Sequence, residues 1–268
     1  MFSFIALVFV FYLVHTFGEA IGLHRLLSHR SFRCPKWLEY FWVFSAYLAF
    51  QGSPIWWATI HRAHHRHVDT PLDPHAPGNG IFGAYTFYSP FQYADHINPL
   101  KQSRDLLKDP IYRLLECGGN WRVGYALNVL ICLCFRVVLF YIFGWTVASA
   151  SLVAGIIALN MPLALNVVCH IPKLGSRNFA TDDDSVNVWW MSVLCLGEGW
   201  HNNHHAFPGA ARAGIKPLEI DLSWLLLAGL HKIGIVSTLN EPAFSTANSK
   251  SKNIEELQSA GVSAKARS

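Results

Sequence analysis

Charged side chains are scarce in this chain of 268 residues. Asp, Glu, Lys and Arg together make up 14% of it, whereas 52% of the residues are hydrophobic. A typical soluble domain is about one quarter charged. This balance argues against a soluble enzyme and favours an integral membrane protein. No basic cluster is interleaved with aromatic residues, so no nucleic-acid partner is expected.

Paired cysteines are also missing. The six cysteines show no regular spacing, and the chain contains no C-x-x-C-H motif. The first observation predicts free thiols rather than disulfide bonds. The second argues against a covalently attached haem.

Long apolar runs are what the chain has instead. They are "MFSFIALVFVFYLV" from Met1, "YALNVLICLCFRVVLFYIFGW" from Tyr125 and "TVASASLVAGIIALNMPLAL" from Thr146. A helix needs roughly 20 apolar residues to cross a bilayer, so the sequence predicts about three spans. The first run is not interpreted as a signal peptide, because it lacks an early basic residue and no small-residue cleavage site precedes His24.

The basic residues indicate an orientation. Of 21 Lys and Arg residues, only Arg136 lies inside a long apolar run, and none lies in the turn around Gly144. The others flank segments rich in histidine. Because basic residues accumulate on the cytoplasmic side, we expect the histidines to face the cytoplasm.

Three short segments concentrate the histidines: "HRLLSH" from His24, "HRAHH" from His61 and "HNNHH" from His201. In "HRAHH", positions i, i+3 and i+4 share one helical face. The adjacent His64 and His65 diverge by about 100° on that helix, which suits two neighbouring metal ions. "HNNHH" repeats the pattern.

The first segment is spaced differently. His24 and His29 are five residues apart, or about 140° on an ideal α-helix, so they converge only if the helix ends or distorts there. Asn166 and His170, four apart at the end of the last run, share a face. If all these histidines meet, the segment Trp37–Trp57 cannot cross the membrane once, and the break at residues 52–54 predicts that it dips in and returns.

The remaining histidines are interpreted as ordinary buried or surface residues. They are His15, His67, His75, His96 and His231. His15 and Glu19, four apart within the first run, are expected to form a polar pair inside the membrane.

The number of imidazoles limits the kind of metal site. Eight or nine of them exceed one tetrahedral zinc site, and two redox metals fit the count and the nitrogen donors. The sequence alone leaves zinc open. A non-catalytic membrane protein that carries haem or metal is the alternative from another functional class.

The motifs "HRLLSHR", "HRAHHRH…DPH" and "GEGWHNNHHAFPG" resemble those of the membrane fatty acyl desaturases. The resemblance extends from about Tyr12 to Lys232 and is strongest to the Δ9 group, which includes stearoyl-CoA and cyanobacterial acyl-lipid desaturases. It implies an all-α membrane bundle of about three spans and a re-entrant or interfacial helix, under a cytoplasmic helical cap that holds two metals. We expect this domain to occupy residues 1–240 and a disordered tail to occupy 241–268.

The resemblance also implies a dinuclear iron centre. One iron would be held by His24, His29, His61, His65 and His204. The other would be held by His64, His170, His201 and His205, with Asn166 reaching it through water. The implied reaction is the O2-dependent removal of two hydrogens to give a cis double bond, with two electrons from a ferredoxin or cytochrome b5. A hydroxylase of the same superfamily is the alternative enzyme.

Further residues match positions that bind substrate in this family. Gln51 and Trp57 match positions at the bend of the acyl tunnel, and Tyr12 matches one near its closed end.

The chain departs from the animal enzymes in three respects. We expect the first span of those enzymes to have no counterpart here, and Pro162 stands where a threonine is expected at the tunnel kink. Gly52 and Thr59 stand where an Asn and an Arg contact CoA. The last difference favours an acyl chain on a membrane glycerolipid over acyl-CoA, unless other basic residues hold the phosphates. The candidates for that role are Arg62, Arg66, Lys101 and Arg104.

Overall fold

The computed structural model describes residues 2–80 and 97–241. His96 and the tail expected after Glu241 lie outside the described residues. The α-helices are α1 Phe2–Phe17, α2 Lys36–Tyr47, α3 Pro54–His67, α4 Pro99–Gln102, α5 Pro110–Leu115, α6 Trp121–Phe143, α7 Trp145–Val168, α8 Trp189–Leu194, α9 His201–Ala206 and α10 Leu222–Lys232. A π-helix, π1, occupies Gly18–Ser28 and continues α1. Short 3-10 helices lie at Pro77–Asn79, Leu106–Lys108, Cys117–Gly119 and Pro172–Leu174. Strands β1 Phe32–Arg33 and β2 Thr238–Leu239 pair antiparallel.

Three helical segments are long and apolar enough to cross a membrane. They are Ser3–Ser28, which combines most of α1 with all of π1, and the helices α6 and α7. Large apolar side chains cover their outer surfaces, as at Phe9, Leu130 and Ile156. Such surfaces are suited to contact with lipid. The prediction of an all-α membrane bundle with about three spans is confirmed.

Helix α2 dips beside the first span and does not cross. Its 12 residues extend for about 18 Å, against about 30 Å of hydrocarbon. Trp42 lies beside Gly22, and Ser45 lies beside His15. Residues later in α2 therefore contact residues earlier in the first span, so the two helices run antiparallel. The chain then turns back into α3, which carries the histidine segment "HRAHH", as the sequence predicted.

Two glycines permit this close packing. A Cβ atom at Gly18 would lie 2.5 Å from the backbone nitrogen of Ala46, and one at Gly22 would lie 2.8 Å from the backbone carbon of Trp42. Small residues let membrane helices approach backbone to backbone. The re-entrant helix is thereby held against the segment that carries the first histidines.

A buried arginine connects the membrane segment to the C-terminal part of the cap. Within π1, Arg25 donates from Nε to Glu198 Oε1 at 2.9 Å and from Nη2 to Asp221 Oδ1 at 2.9 Å. It also donates to the carbonyl oxygen of Ala211 at 2.6 Å. Because guanidinium groups bind carboxylates in a fixed planar geometry, Arg25 sets the position of the segment around Glu198, which precedes "HNNHH".

Candidate dimetal centre

The π-helix brings the first two histidines together. The backbone N–H of His29 donates to the carbonyl oxygen of His24 at 3.2 Å, which is an i to i−5 bond. The imidazole centroids of these two residues are consequently 4.8 Å apart. π-Helical turns are rare in proteins, and those that occur are often found at functional sites. The expectation that this segment must distort for the two side chains to converge is confirmed.

Helix α3, which carries the second histidine segment, has a capped N-terminus. Pro54 occupies its first turn, and the Ser53 side chain caps it by accepting from the Trp56 N–H, which satisfies one of the free donors there. Near the other end, the Nε2 atoms of His61 and His65 lie 3.1 Å apart. His64 turns towards a different set of imidazoles, as the periodicity predicted.

The nine histidines form two groups that could each hold a metal ion. Within each group the ligand atoms lie within 4.8 Å of one another. The first group is His24, His29, His61, His65 and His204, and the second is His64, His170, His201 and His205. The structure thus brings together the sets expected from the resemblance, while their role as ligands stays a prediction.

Buried carboxylates orient four of these imidazoles. Three aspartates accept from Nδ1 of one histidine each: Asp73 from His64 at 2.9 Å, Asp69 from His170 at 3.1 Å and Asp183 from His205 at 3.0 Å. Glu198 Oε2 lies in ion-pair contact with His24 Nδ1 at 2.5 Å. An ionised carboxylate only accepts, so the proton lies on Nδ1 and the lone pair on Nε2. This arrangement is typical of histidines that bind metal. Sequence reasoning missed all four carboxylates, although the aspartates after "HRAHHRH" and the "DDD" at 182–184 were visible signals.

The donor chemistry of the second group fits a cation. His170 Nε2 and His205 Nε2 both carry lone pairs, and they lie 3.1 and 3.0 Å from His201 Nε2. His201 has one proton to give at that atom, so at most one of the two contacts is a hydrogen bond. Nε2 of His64 is buried and has no hydrogen-bond partner among residues 2–80 and 97–241. A metal ion would satisfy these converging lone pairs.

The protonation of the histidines is also suited to metal binding. Burial, together with the neighbouring imidazoles, holds the pKa of six of them well below the ordinary value: His29, His61, His65, His201, His204 and His205. Neutral imidazole is the form that ligates metals. Burial would raise the pKa of Asp73, but the hydrogen bond with His64 outweighs it, and the pKa is about 2. The carboxylate therefore stays ionised.

A small cavity lies between the two groups. Its volume is about 20 Å³, enough for about one water molecule. It is lined by Glu19, His24, Trp57, His61, Pro162, Leu165, Asn166, Glu198 and His201. Asn166 and Pro162 thus line the cavity from the C-terminal half of α7. That Asn166 reaches a metal through water stays a prediction.

Of the three residues matched to the acyl tunnel, Trp57 contacts the centre, Gln51 contacts the candidate span α7, and Tyr12 lies within the first candidate span. Trp57 stacks on His61 with ring centroids 5.3 Å apart, and its Nε1 donates to Gln51 Oε1 at 3.2 Å. Gln51 Nε2 donates to the carbonyl oxygen of Ala158 at 3.3 Å. The Tyr12 hydroxyl donates to the carbonyl oxygen of Leu194 at 2.5 Å. Contact of these residues with substrate stays a prediction.

The expected pair of His15 and Glu19 is wrong. His15 Nδ1 lies 2.6 Å from the carbonyl oxygen of Ser45, and its Nε2 has no hydrogen-bond partner in the described part of the chain. Glu19 lines the cavity instead. The change from α- to π-helical geometry after Phe17 explains the error, because the four-residue spacing keeps two side chains on one face only in a continuous α-helix.

Comparison with known proteins identifies the family of this chain. The model of the family described as fatty acid desaturase matches residues 2–229. The chain is 36% identical over 223 residues to an sn-1 stearoyl-lipid 9-desaturase from Anabaena variabilis, which covers 83% of this chain and 78% of the relative. It is 35% identical to Delta-9 acyl-lipid desaturase 2 from Arabidopsis thaliana (87% of this chain, 74% of the relative). It is also 35% identical to an acyl-CoA C20 Delta5-desaturase from Anemone leveillei (85% and 70%). The chain belongs to the fatty acid desaturase family, and it is an oxidoreductase of the membrane.

Proposed function

We propose that this desaturase uses O2 to introduce a cis double bond at the Δ9 position of a saturated acyl chain. Two electrons would come from an external carrier of the ferredoxin or cytochrome b5 type. The observation that carries the proposal is the pair of imidazole groups, in each of which the possible ligand atoms lie within 4.8 Å of one another. His24, His61 and His201 from these groups line one cavity. The names of the relatives in Anabaena and Arabidopsis support the Δ9 position.

Iron is the metal we propose for both groups. Nitrogen donors and buried carboxylates that orient them suit a divalent redox metal. Two irons would supply the oxidising power needed to remove hydrogen from an unactivated methylene group, which protein side chains alone lack. The first group would hold one iron through five imidazoles, and the second would hold the other through four, with Asn166 and a water completing it.

The remaining task of the protein is to position the acyl chain. A saturated chain has no polar group near the reacting carbons, so shape decides which bond is oxidised. Trp57 is held between His61 and Gln51, and Gln51 is in turn held by α7. We infer that this rigid chain of contacts forms the wall against which the substrate bends. Pro162 lines the cavity in place of the expected threonine and contributes to the shape of the same wall.

The head group we propose is a glycerolipid. The hydroxyl of Thr59 is buried and shared between the Ile55 carbonyl oxygen and Ser103 Oγ, both at 2.7 Å. The backbone N–H of Gly52 donates to Asn128 Oδ1 at 3.1 Å. Neither matched position therefore offers a free donor to the phosphates of CoA.

Arg62 is also engaged. It forms an ion pair with Asp105 at 2.9 Å and donates to the backbone carbonyl of Leu27 at 2.7 Å. One relative is named as an acyl-CoA desaturase, so an acyl-CoA substrate is the alternative to test. Purified, reduced enzyme given labelled stearoyl-glycerolipid and stearoyl-CoA side by side should convert the lipid. Turnover of the CoA ester alone would contradict this part of the proposal.

The metal centre is proposed to face the cytoplasm. His29 directly follows π1, and His170 lies two residues after the end of α7, so they mark the same end of two spans. Basic residues are concentrated at that end, whereas the turn between α6 and α7 and the first 24 residues contain none. The asymmetry predicts a cytoplasmic cap. Reporter fusions should place the N-terminus outside and the C-terminus in the cytoplasm, and both ends on one side would refute this topology.

The activity is tested by expression in a host that lacks unsaturated C16 and C18 acyl chains. We expect a cis alkene in the lipids, with the position of the bond read by mass spectrometry. An alcohol in place of the alkene would identify a hydroxylase. Purified protein should hold two irons per chain without a Soret band, and a Soret band would instead support the haem-carrying alternative.

A further inference from the structure

Glu19 is a buried carboxyl group at the cavity that no part of the expected ligand set uses. It lies within the first membrane span, and 6% of its surface is exposed. An ionisable side chain is costly at such a place and marks a functional site by default. Within the described ranges 2–80 and 97–241, no hydrogen bond or ion pair involves its carboxyl oxygens.

The geometry of π1 directs Glu19 towards the metal centre. In a π-helix, hydrogen bonds join residues five apart, so side chains at that spacing lie on one face. Glu19, His24 and His29 follow each other at intervals of five. Glu19 accordingly lines the same cavity as His24, together with His61 and His201 from the two imidazole groups.

The neighbouring carboxylate cannot play an independent role. Glu198 also lines the cavity, but its oxygens are taken by Arg25 at 2.8 Å and by His24 at 2.5 Å. Glu19 does not belong to either group of possible ligand atoms. It is therefore the carboxyl group in the cavity that remains available to a small molecule there, and the volume admits about one water.

The proposed reaction needs a proton carrier at this place. Conversion of –CH2–CH2– with O2, two electrons and two protons gives –CH=CH– and two waters, so two protons must enter a buried site. We propose that Glu19 transfers these protons, giving its carboxyl proton to the oxygen atoms that leave as water and regaining each proton from solvent by way of a water molecule that the cavity admits. This inference rests on the proposed function.

The test compares Glu19→Gln with Glu19→Asp and a matched control. Glutamine keeps the shape and hydrogen bonding but cannot exchange a proton, whereas aspartate keeps the carboxyl group. The control is Glu39→Gln, because Glu39 lies on α2 and its carboxylate contacts Lys36 and Tyr112, away from the cavity. The purified proteins are given O2, a reduced electron carrier and stearoyl-glycerolipid, and alkene and hydrogen peroxide are counted per electron pair.

We expect Glu19→Gln to retain two metal ions per chain while the alkene formed per electron pair falls by about 100-fold or more, because a positioned general acid typically contributes about 10²–10⁴-fold. The electrons should appear as hydrogen peroxide, by O2 plus two electrons and two protons, with the protons taken from solvent once the reduced oxygen leaves the site. Glu19→Asp should restore part of the yield, and Glu39→Gln should match the wild type.

Two results would overturn the inference. One is a Glu19→Gln protein with unchanged alkene yield, and the other is loss of a metal ion, which would make Glu19 a ligand. The wild type provides a test that needs no variant, because D2O should lower its ratio of alkene to peroxide, and an unchanged ratio would exclude proton transfer as the step that separates the two products. A wild type that makes no alkene at all would refute the proposed function instead.

Discussion

The substitution Asp183→Asn should remove one metal ion and leave the other. Asp183 Oδ1 accepts from the hydroxyls of Thr181 at 2.7 Å and Ser185 at 2.5 Å, and from the Ser185 N–H at 3.0 Å. Asp183 Oδ2 faces Nδ1 of His205 at 3.0 Å. In the variant, three donors keep the amide oxygen at the Oδ1 position. The amide NH2 group then faces the Nδ1–H of His205.

Two donors cannot face each other, so we expect His205 to change tautomer. Its proton would move to Nε2, the atom that points to His201 at 3.0 Å within the second group. The group then loses one of four ligand lone pairs. Loss of such an orienting carboxylate costs about 10- to 100-fold in metal affinity, or about 1.4–2.8 kcal/mol. The first group shares no ligand with the second and should be unaffected.

The assay is metal content per purified chain after dialysis against a series of chelator concentrations. The wild type should release both ions together at high chelator, and Asp183→Asn should release one ion at about 10- to 100-fold lower concentration. Asp182→Asn is the control, because Asp182 is the exposed neighbour in the same loop. Equal retention of both ions by Asp183→Asn and the wild type would refute the assignment of the tautomer.

Three further outcomes are expected. His64→Ala should abolish alkene formation while membrane insertion stays normal, because insertion depends on the apolar spans; near-normal activity with both metals bound would contradict the ligand role. Gly18→Val should lower the melting temperature in detergent and the metal content, since its Cβ would lie 2.5 Å from the Ala46 nitrogen and such overpacking typically costs about 1–3 kcal/mol. Burial raises the pKa of Glu116 from 4.5 to about 7. The folded state therefore binds a proton more tightly than the unfolded chain, and stability should fall by at most about 3 kcal/mol as pH rises from 4.5 to 7. Glu116→Gln should flatten this dependence, and parallel pH curves for variant and wild type would contradict it.

The metal-binding side of the protein was largely predictable from sequence. The spacing of His61, His64 and His65 determines their faces on a helix, because helical periodicity is a local property. The length and apolarity of the runs likewise predicted the spans. Even the distortion between His24 and His29 followed from their spacing, although its form, an 11-residue π-helix, did not.

Only the tertiary structure decided which groups surround the imidazoles. Asp69 reaches His170 across 101 positions of sequence, and Arg25 reaches Asp221 across 196. No local pattern encodes such contacts, because they depend on how separate helices pack. Sequence spacing assigned Glu19 to His15, whereas the π-helical geometry after Phe17 places it at the cavity. The sequence by itself determined which atoms can bind a metal, and the packing of π1 against α2 and α3, together with that of α1 against α7, decided what surrounds them.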